Sequence, residues 1–173
     1  MGAYQQRGGR GNFASRGAPG GRGAEGAAPA KPEPDFFFRG DGERDKDLPR
    51  TDLLTVEAQE CGERWVRERL NSSQLRRFFH EVKAIVASVE AAETPEEGFR
   101  RARPRLALLR SKAAYACPPD PRQRKIPEGF RRYLEQMAAN VQDVHDLRAF
   151  ALVFEAAVGY YYGAGGSDKG GSR

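Results

Sequence analysis

Basic side chains concentrated in one part of the sequence offer the clearest chemistry that this chain could perform. Residues 100–132 contain eleven lysines and arginines against two acids, a net charge of +9. Residues 51–99 and 133–173 carry net charges of −4 and −2. A cationic surface of this kind attracts polyanions and neutralises phosphate groups. The uneven charge therefore favours nucleic acid over a small acidic substrate as the ligand.

Within the basic stretch, helical spacing places three side chains on one rim. Arg105 and Lys112 are seven residues apart, about two turns of a helix, and Tyr115 lies nearby on the same side. Two cations and a phenol suit phosphate contacts together with base stacking or a hydrogen bond to a ribose 2′-hydroxyl. Any single arginine of the stretch is better explained as a solvated charge whose aliphatic stem covers the core. The prediction therefore depends on the cluster and not on one member.

A second basic face is predicted in residues 71–90. Apolar residues recur there at helical spacing from Leu75 to Val89 and indicate a helix packed against a core. Arg76, His80 and Lys83 follow one another four and three residues apart on another face of the same helix. Their chemistry indicates an anionic surface as the partner of this face.

The sequence has few residues that are suited to histidine-based catalysis or metal binding, since its two histidines are His80 and His145. The dipeptide His145-Asp146 is similar to that of metal-dependent phosphohydrolases, but such a site needs further histidine and aspartate ligands. We interpret Asp146 as a cap at the start of a helix. The GxGxxG match at residues 21–26 follows no strand and is accidental. We therefore expect no enzyme activity, no catalytic residue, no metal and no cofactor.

Helices must position the basic groups, because the periodic segments after residue 50 have helical spacing and none alternates as a strand does. The first predicted helix covers residues 52–70, and the second runs from Ser72 or Ser73 to about residue 90. The third begins at Thr94 and either kinks or restarts at Pro104. The fourth opens at Ile126-Pro127-Glu128, and the fifth ends at Gly163. The sequence thus predicts an all-α fold, a single bundle of about five helices.

The first two helices allow more detailed predictions. Leu54, Ala58, Cys61 and Trp65 lie on one face of the first helix, which Gly62 weakens. The second helix begins at a serine whose hydroxyl can accept a hydrogen bond from an amide of the first turn. Both helices should therefore present an apolar face to the same core.

Three segments of the chain differ in composition. Residues 1–50 are rich in glycine, arginine and charged residues and bury too little apolar surface to fold, so we predict a disordered tail. Residues 51–163 form the predicted bundle, and residues 164–173 a second disordered tail. Arginines set among glycines are typical of segments that bind RNA loosely, but a solubilising linker explains them equally well. The apolar run from Phe36 to Phe38 could dock on a partner or on the bundle itself.

The cysteines and the apolar runs of the sequence allow a prediction of the cellular compartment. Cys61 and Cys117 are far apart, show no CxxC spacing and indicate a reducing environment. The first residues have no apolar core of a signal peptide, and no run approaches the length of a membrane span. We expect a cytoplasmic protein with no membrane partner.

Three short segments agree in order and spacing with a known family. Residues 72–82 (SSQLRRFFHEV) are similar to the opening of that family's principal helix, and residues 108–116 (LLRSKAAYA) to its leucine-rich Lys-x-Ala-Tyr-Ala segment. Residues 150–162 (FALVFEAAVGYYY) are similar to its Phe-Glu-Ala-x-x-x-Tyr ending. Over roughly residues 52–163 the chain therefore resembles the small subunit of type III-A CRISPR effector complexes, the Csm small subunit.

The resemblance implies a non-catalytic helical subunit that acts in antiviral defence. Several copies would form a filament beside the backbone subunits and help to hold the duplex of crRNA and target RNA without reading its sequence. In that family the backbone subunit cleaves target RNA and the large subunit makes cyclic oligoadenylate. The implied partners are crRNA, target RNA, the backbone and large subunits, and further copies of the chain.

The resemblance and the basic faces together predict one RNA-binding surface. Arg122, Arg124 and Lys125 would replace the basic residue that the family pattern has after Ala116. The predicted RNA-binding residues are Arg76, Arg77, His80, Lys83, Arg105, Arg110, Lys112, Tyr115, Arg122, Arg124 and Lys125. The alternative is a helical protein–protein adaptor, independent of RNA, whose basic face docks an acidic partner and whose tyrosines at 160–162 pack in an interface.

Overall fold

The computed structural model describes residues 32–33, 36–38 and 49–167, which form an all-α bundle. Its helices are α1 Ala58–Arg67, α2 Ser72–Glu90, α3 Pro95–Ala116, α4 Glu128–Asn140 and α5 Val144–Gly163. A π-helical turn, Leu53–Glu57, precedes α1, and a 3₁₀ turn, Pro121–Gln123, lies between α3 and α4. The described part of the chain contains no strand. The predicted fold class is confirmed.

The helix α5 is central to the bundle, because it packs along α1 and also contacts α2, α3 and α4. The helix α2 has two packed sides, one against α3 and the other against α5. The helix α3 packs against both α2 and α4. This arrangement gives α2 two different neighbours, which decide what its charged residues meet.

An aromatic cluster joins α1, α4 and α5. Trp65 is fully buried, and its ring centroid lies 5.0 Å from that of Phe130, 4.9 Å from that of Tyr133 and 6.1 Å from that of Phe154. All three contacts are edge-to-face, a geometry that adds about 0.5–1.5 kcal/mol per pair beyond area burial. The cluster therefore fixes the positions of α4 and α5 against α1.

The glycine inside α1 is required by packing. A Cβ atom at Gly62 would lie 2.6 Å from the backbone nitrogen of Tyr161 and 2.9 Å from the carbonyl oxygen of Ala157. Only a residue without a side chain lets two helix backbones approach so closely. Gly62 weakens α1 as an isolated helix, as its intrinsic propensity predicts, but it allows the close contact of α1 with α5.

The phenylalanine run before the bundle docks on the bundle. Phe37 is fully buried and Phe36 is 7% exposed. The Arg50 amide donates a hydrogen bond of 2.8 Å to the carbonyl oxygen of Phe37, and the Glu33 amide donates one of 2.7 Å to Asn140 Oδ1. Of the two predicted docking places, the structure shows the bundle. The other residues of the predicted tails, 1–31, 34–35, 39–48 and 168–173, lie outside the described residues.

The helix α2 begins at Ser72, as predicted, but its capping residue differs from the prediction. Its cap is Asn71, whose side-chain oxygen accepts a hydrogen bond of 2.8 Å from the amide of Ser73. Ser72 is the first residue of the helix and is buried. An asparagine just before the helix reaches the second amide of the first turn, so neither serine is needed as the cap.

The start of α3 follows the predicted chemistry, whereas the cap of α5 is Asp143 and not the predicted Asp146, which is the third residue of the helix. Thr94 accepts a hydrogen bond of 3.3 Å from the Glu97 amide, and proline occupies the first turn, which confirms the predicted capping position. Asp143 caps α5 by accepting a hydrogen bond of 2.9 Å from the amide of Asp146. Asp146 completes the capping box by accepting a hydrogen bond of 3.3 Å from the amide of Asp143, and it also accepts one of 2.8 Å from the amide of Gln142.

Two backbone details depart from the periodic pattern. Leu54 is partly buried and packs against the core, as its predicted face requires, but Leu53, which the pattern did not select, is fully buried. Both leucines lie in the π-helical turn, whose wider hydrogen-bond spacing departs from the regular helical period. Pro104 lies inside α3, which continues past it without restarting.

Candidate nucleic-acid interface

Basic residues of α3 reach across to α2 along the contact between the two helices. Arg105 donates a hydrogen bond of 3.2 Å from Nη1 to Ser88 Oγ, and Lys112 Nζ forms an ion pair with Glu81. Arg105 and Lys112 thus share one rim of α3, as their spacing predicts. This line of contacts is termed the α2–α3 seam. Its residues are Gln74, Arg77, Glu81, Ser88, Arg101, Arg105, Lys112, Tyr115 and Lys125.

A groove at one end of the seam brings four predicted site residues together. It is termed the Tyr115 groove, and the predicted residues that line it are Arg77, Lys112, Tyr115 and Lys125. The Tyr115 side chain is 79% exposed, and the Lys125 Nζ atom lies 5.5 Å from the centroid of its ring. Glu81 is the one carboxylate among the described lining residues. Three cations against one anion leave the groove positive.

The loop between α3 and α4 holds Lys125 beside the groove. Its amide donates a hydrogen bond of 2.8 Å to the carbonyl oxygen of Ala116, and the Ile126 amide donates one of 3.2 Å to the same oxygen. Arg124 points back into the loop, where Nε donates a hydrogen bond of 2.9 Å to the carbonyl oxygen of Pro118. Arg122 is exposed on the 3₁₀ turn. Of the three predicted loop residues, only Lys125 lines the groove.

The second predicted basic face lies on the other side of α2. Lys83 Nζ forms an ion pair of 3.1 Å with Glu155 of α5 and lies 5.9 Å from the ring centroid of Phe79. His80 is exposed, with its ring 6.2 Å from that of Phe79. Arg76 is exposed on the same helical face. The structure therefore does not bring Arg76, His80 and Lys83 together with the Tyr115 groove.

Arg110 lies apart from the other predicted residues of α3. At roughly 100° per residue it is about 140° around the helix from Arg105, which faces α2. Its side chain is half-buried, and the neighbour of α3 away from α2 is α4. Arg110 therefore does not belong to the α2–α3 seam.

The seam contains four residues that the sequence prediction omitted. Gln74 and Glu81 line the Tyr115 groove, and Ser88 and Arg101 lie with Arg105 in a second depression along the same contact. Spacing could have found three of them, because Gln74 and Glu81 are three and four residues from Arg77, and Arg101 is four from Arg105. Glu81 matters most, since it places a negative charge opposite Lys112.

Several arginines of the basic stretch are engaged by acids on their own helices. Hydrogen bonds from Arg100, followed by Arg101, lower the pKa of the Glu97 carboxyl below its usual value. A hydrogen bond from Arg131 lowers the pKa of Glu128 in the same way. The charge available to a ligand is therefore smaller than the sequence count. The seam remains the place where cations of different elements converge.

Metal and membrane chemistry find no support in the residues that the structure describes. No group of three or more histidine, cysteine, aspartate or glutamate side chains is placed to hold a metal ion within residues 32–33, 36–38 and 49–167. Asp146 belongs to the capping box of α5. Among the described helices, none is both long and apolar enough to cross a membrane.

Comparison with known proteins gives one positive result. The family model described as Csm2 Type III-A matches residues 49–167, more than half of the chain. No curated protein and no solved structure matches the chain. The matched residues include all five helices and the whole α2–α3 seam.

Proposed function

Because the chain belongs to the Csm2 Type III-A family and is thus a structural small subunit of a type III-A CRISPR effector complex, we propose that its α2–α3 seam supports the RNA duplex of that complex. The duplex is the one formed by crRNA and target RNA. The contacts go to phosphates, which carry no direct sequence information, so the same surface serves any crRNA.

The α2–α3 seam is the observation that carries this proposal. Arg77, Arg105, Lys112 and Lys125 come from two helices and one loop and meet along a single contact. In the ion pair of Lys112 with Glu81, the lysine side chain is 48% exposed and the glutamate side chain 18%. A phosphate can therefore reach the Lys112 ammonium group from solvent.

The proposed protein partners are the backbone and large subunits and further copies of this chain. Copies placed in a row would continue the seam along the duplex as a short filament. The chain supplies no catalytic residue in this proposal, and its place is the cytoplasm. Target cleavage and nucleotide synthesis belong to the other subunits of the complex.

Charge reversal on the seam tests the proposal. In the full chain, Arg105→Glu with Lys112→Glu should weaken binding to an RNA duplex, and log K for the wild type should fall by about 0.7–0.9 per phosphate neutralised for each unit of log salt. The matched control is Arg67→Glu with Arg69→Glu, which changes the charge equally beside α1, away from the seam. Unchanged duplex binding by a folded seam variant would contradict the proposal.

Purification from the host separates this function from an adaptor. A tagged chain should recover backbone and large subunits together with crRNA, and the seam variant should recover less RNA. Recovery of protein partners that is unaffected by RNase and by the seam variant would favour the adaptor interpretation instead.

A further inference from the structure

Tyr115 is unusually placed for a large aromatic residue. Its side chain is 79% exposed, the highest value among the large apolar side chains that the structure describes as exposed. Leu108, seven residues earlier on the same face of α3, is 54% exposed. A tyrosine in this position contributes little to the core, so its ring is available to a ligand.

The surroundings of the ring indicate which ligand fits. Lys125 Nζ lies 5.5 Å from the ring centroid, and Arg77 and Lys112 line the same groove. Lysine is depleted from the cores of protein–protein interfaces, where charge must be desolvated. Cations beside an exposed aromatic ring are instead the combination that single-stranded nucleic acid uses, with phosphates near the cations and a base on the ring.

We propose that the Tyr115 groove is a subsite for an unpaired RNA nucleotide, whose base stacks on the phenol ring while its phosphate contacts the cations of the groove. The subsite rests on the proposed function, since it refines the same seam. Bases inside a duplex already stack on each other, so an intact duplex can use the cations but not the ring. The sequence left base stacking and a 2′-hydroxyl bond open, and the exposure of the ring favours stacking.

The position of Lys125 makes the subsite a built feature of the loop. Its amide is held by the carbonyl oxygen of Ala116, one residue after Tyr115. Arg124 fastens the same loop by hydrogen bonds to the carbonyl oxygens of Pro118 and Pro119, at 2.9 and 3.2 Å. The cation and the ring are therefore kept beside each other before any ligand arrives.

The test compares three probes with the full chain: a single-stranded RNA dodecamer, an abasic oligomer of the same length, and an RNA duplex of the same length. The wild type should bind the single strand about tenfold more tightly than the abasic oligomer, since stacking on an aromatic side chain is sequence-tolerant and contributes to each base held. Tyr115→Ala should remove most of this preference, and it should weaken binding of the single strand more than binding of the duplex.

Two variants control the test. Tyr115→Phe keeps the ring but lacks the hydroxyl group. If stacking is responsible, this variant should keep the preference; if a hydrogen bond of the hydroxyl group is responsible, it should lose the preference. Leu108→Ala removes an exposed apolar side chain from the same face of α3 and should change nothing. A 2-aminopurine base in the single strand gives a second readout, because stacking on Tyr115 should quench its fluorescence in the wild type and not in Tyr115→Ala.

The outcomes separate this inference from the proposed function. A Tyr115→Ala variant that retains the preference, or a wild type that shows none, overturns the subsite. Duplex binding that depends on Arg105 and Lys112 would then still support the proposed function. Conversely, a preference that depends on Tyr115 in a chain whose duplex binding ignores the seam charges would support the subsite and contradict the duplex proposal.

Discussion

The two sides of α2 carry similar charges but use them differently. Toward α5, cations and carboxylates form pairs across the two helices: Lys83 pairs with Glu155 at 3.1 Å, and Glu90 pairs with Arg148 at 2.7 Å. Toward α3, the Tyr115 groove gathers three cations and one carboxylate. The difference comes from the neighbouring helices and not from α2 itself. A basic helix face is a ligand surface only where the element packed beside it adds cations and not acids.

The paired side suits a structural role, whereas the α3 side suits a polyanion. Each exposed pair toward α5 contributes about 0–1 kcal/mol. On the α3 side, excess positive charge remains beside an exposed ring. Four measurements can break or sharpen this contrast.

The largest effect concerns the packing that holds α3 on the bundle. Leu109 is fully buried and Leu108 is 54% exposed, although they are adjacent. Leu109→Ala should lower the free energy of unfolding by about 2–5 kcal/mol because it leaves a cavity. Leu108→Ala should change it by about 0.5 kcal/mol or less. Urea denaturation followed by circular dichroism measures both, and similar losses would show that this face of α3 is covered by another surface.

The second effect compares the cations of the two sides through the salt dependence of RNA binding. Arg77→Ala with Lys125→Ala should lower the slope of log K against log salt by about 1.4–1.8, since each removed phosphate contact contributes about 0.7–0.9. Arg76→Ala with Lys83→Ala removes equal charge from the other side of α2 and should leave the slope unchanged. Fluorescence anisotropy at four salt concentrations measures the slopes. Equal reductions would extend the RNA surface to both sides.

The helices themselves could be predicted from local sequence. Capping at Thr94, the end of α5 at Gly163 and the all-α class depend on residues within a few positions of each other, and the structure confirms them. Errors remained small where a neighbour competed for the same role, as Asn71 did with the serines that follow it. Local chemistry decides such features almost alone.

The composition of the site could not be predicted in the same way. The pairing of Lys83 with Glu155 joins residues 72 positions apart, and that of Lys112 with Glu81 joins residues 31 apart. Helical spacing tells which residues share a face but not which helix that face will meet. For this reason the sequence placed Arg76, His80 and Lys83 with the α3 cations, whereas packing separates them. The docking of Phe36 and Phe37 was undecided for the same reason.

The third effect concerns the single carboxylate of the groove. Glu81→Gln removes the anion opposite Lys112 and should tighten RNA binding by about two- to fivefold. The reason is that the Glu81 carboxylate no longer repels the RNA phosphate. Glu155→Gln releases Lys83 in the same manner on the α5 side and should leave RNA affinity unchanged. Matched anisotropy titrations decide between them. A gain with Glu155→Gln and none with Glu81→Gln would reverse the assignment of the two sides.

The smallest effect is the pH dependence of the pairing between α2 and α5. A hydrogen bond from Arg148 lowers the pKa of Glu90 below its usual value. A carboxyl whose pKa is lower in the folded state stabilises the fold above its ordinary pKa, and the stabilisation is lost as pH falls through the folded value. Both side chains are more than 40% exposed, so solvent screening limits the contribution to about 0.2–0.5 kcal/mol.

Glu90→Gln should therefore reduce the free energy of unfolding slightly at pH 7 and not at pH 2.5, as urea midpoints can measure. Arg148→Gln should also lower the free energy of unfolding at pH 7, and the double variant should lose less than the sum of the two single losses, because Glu90 and Arg148 interact with each other. Additive losses would mean that Glu90 and Arg148 stabilise the bundle separately, and the pairing of charges on the α5 side would then have no role in holding α2.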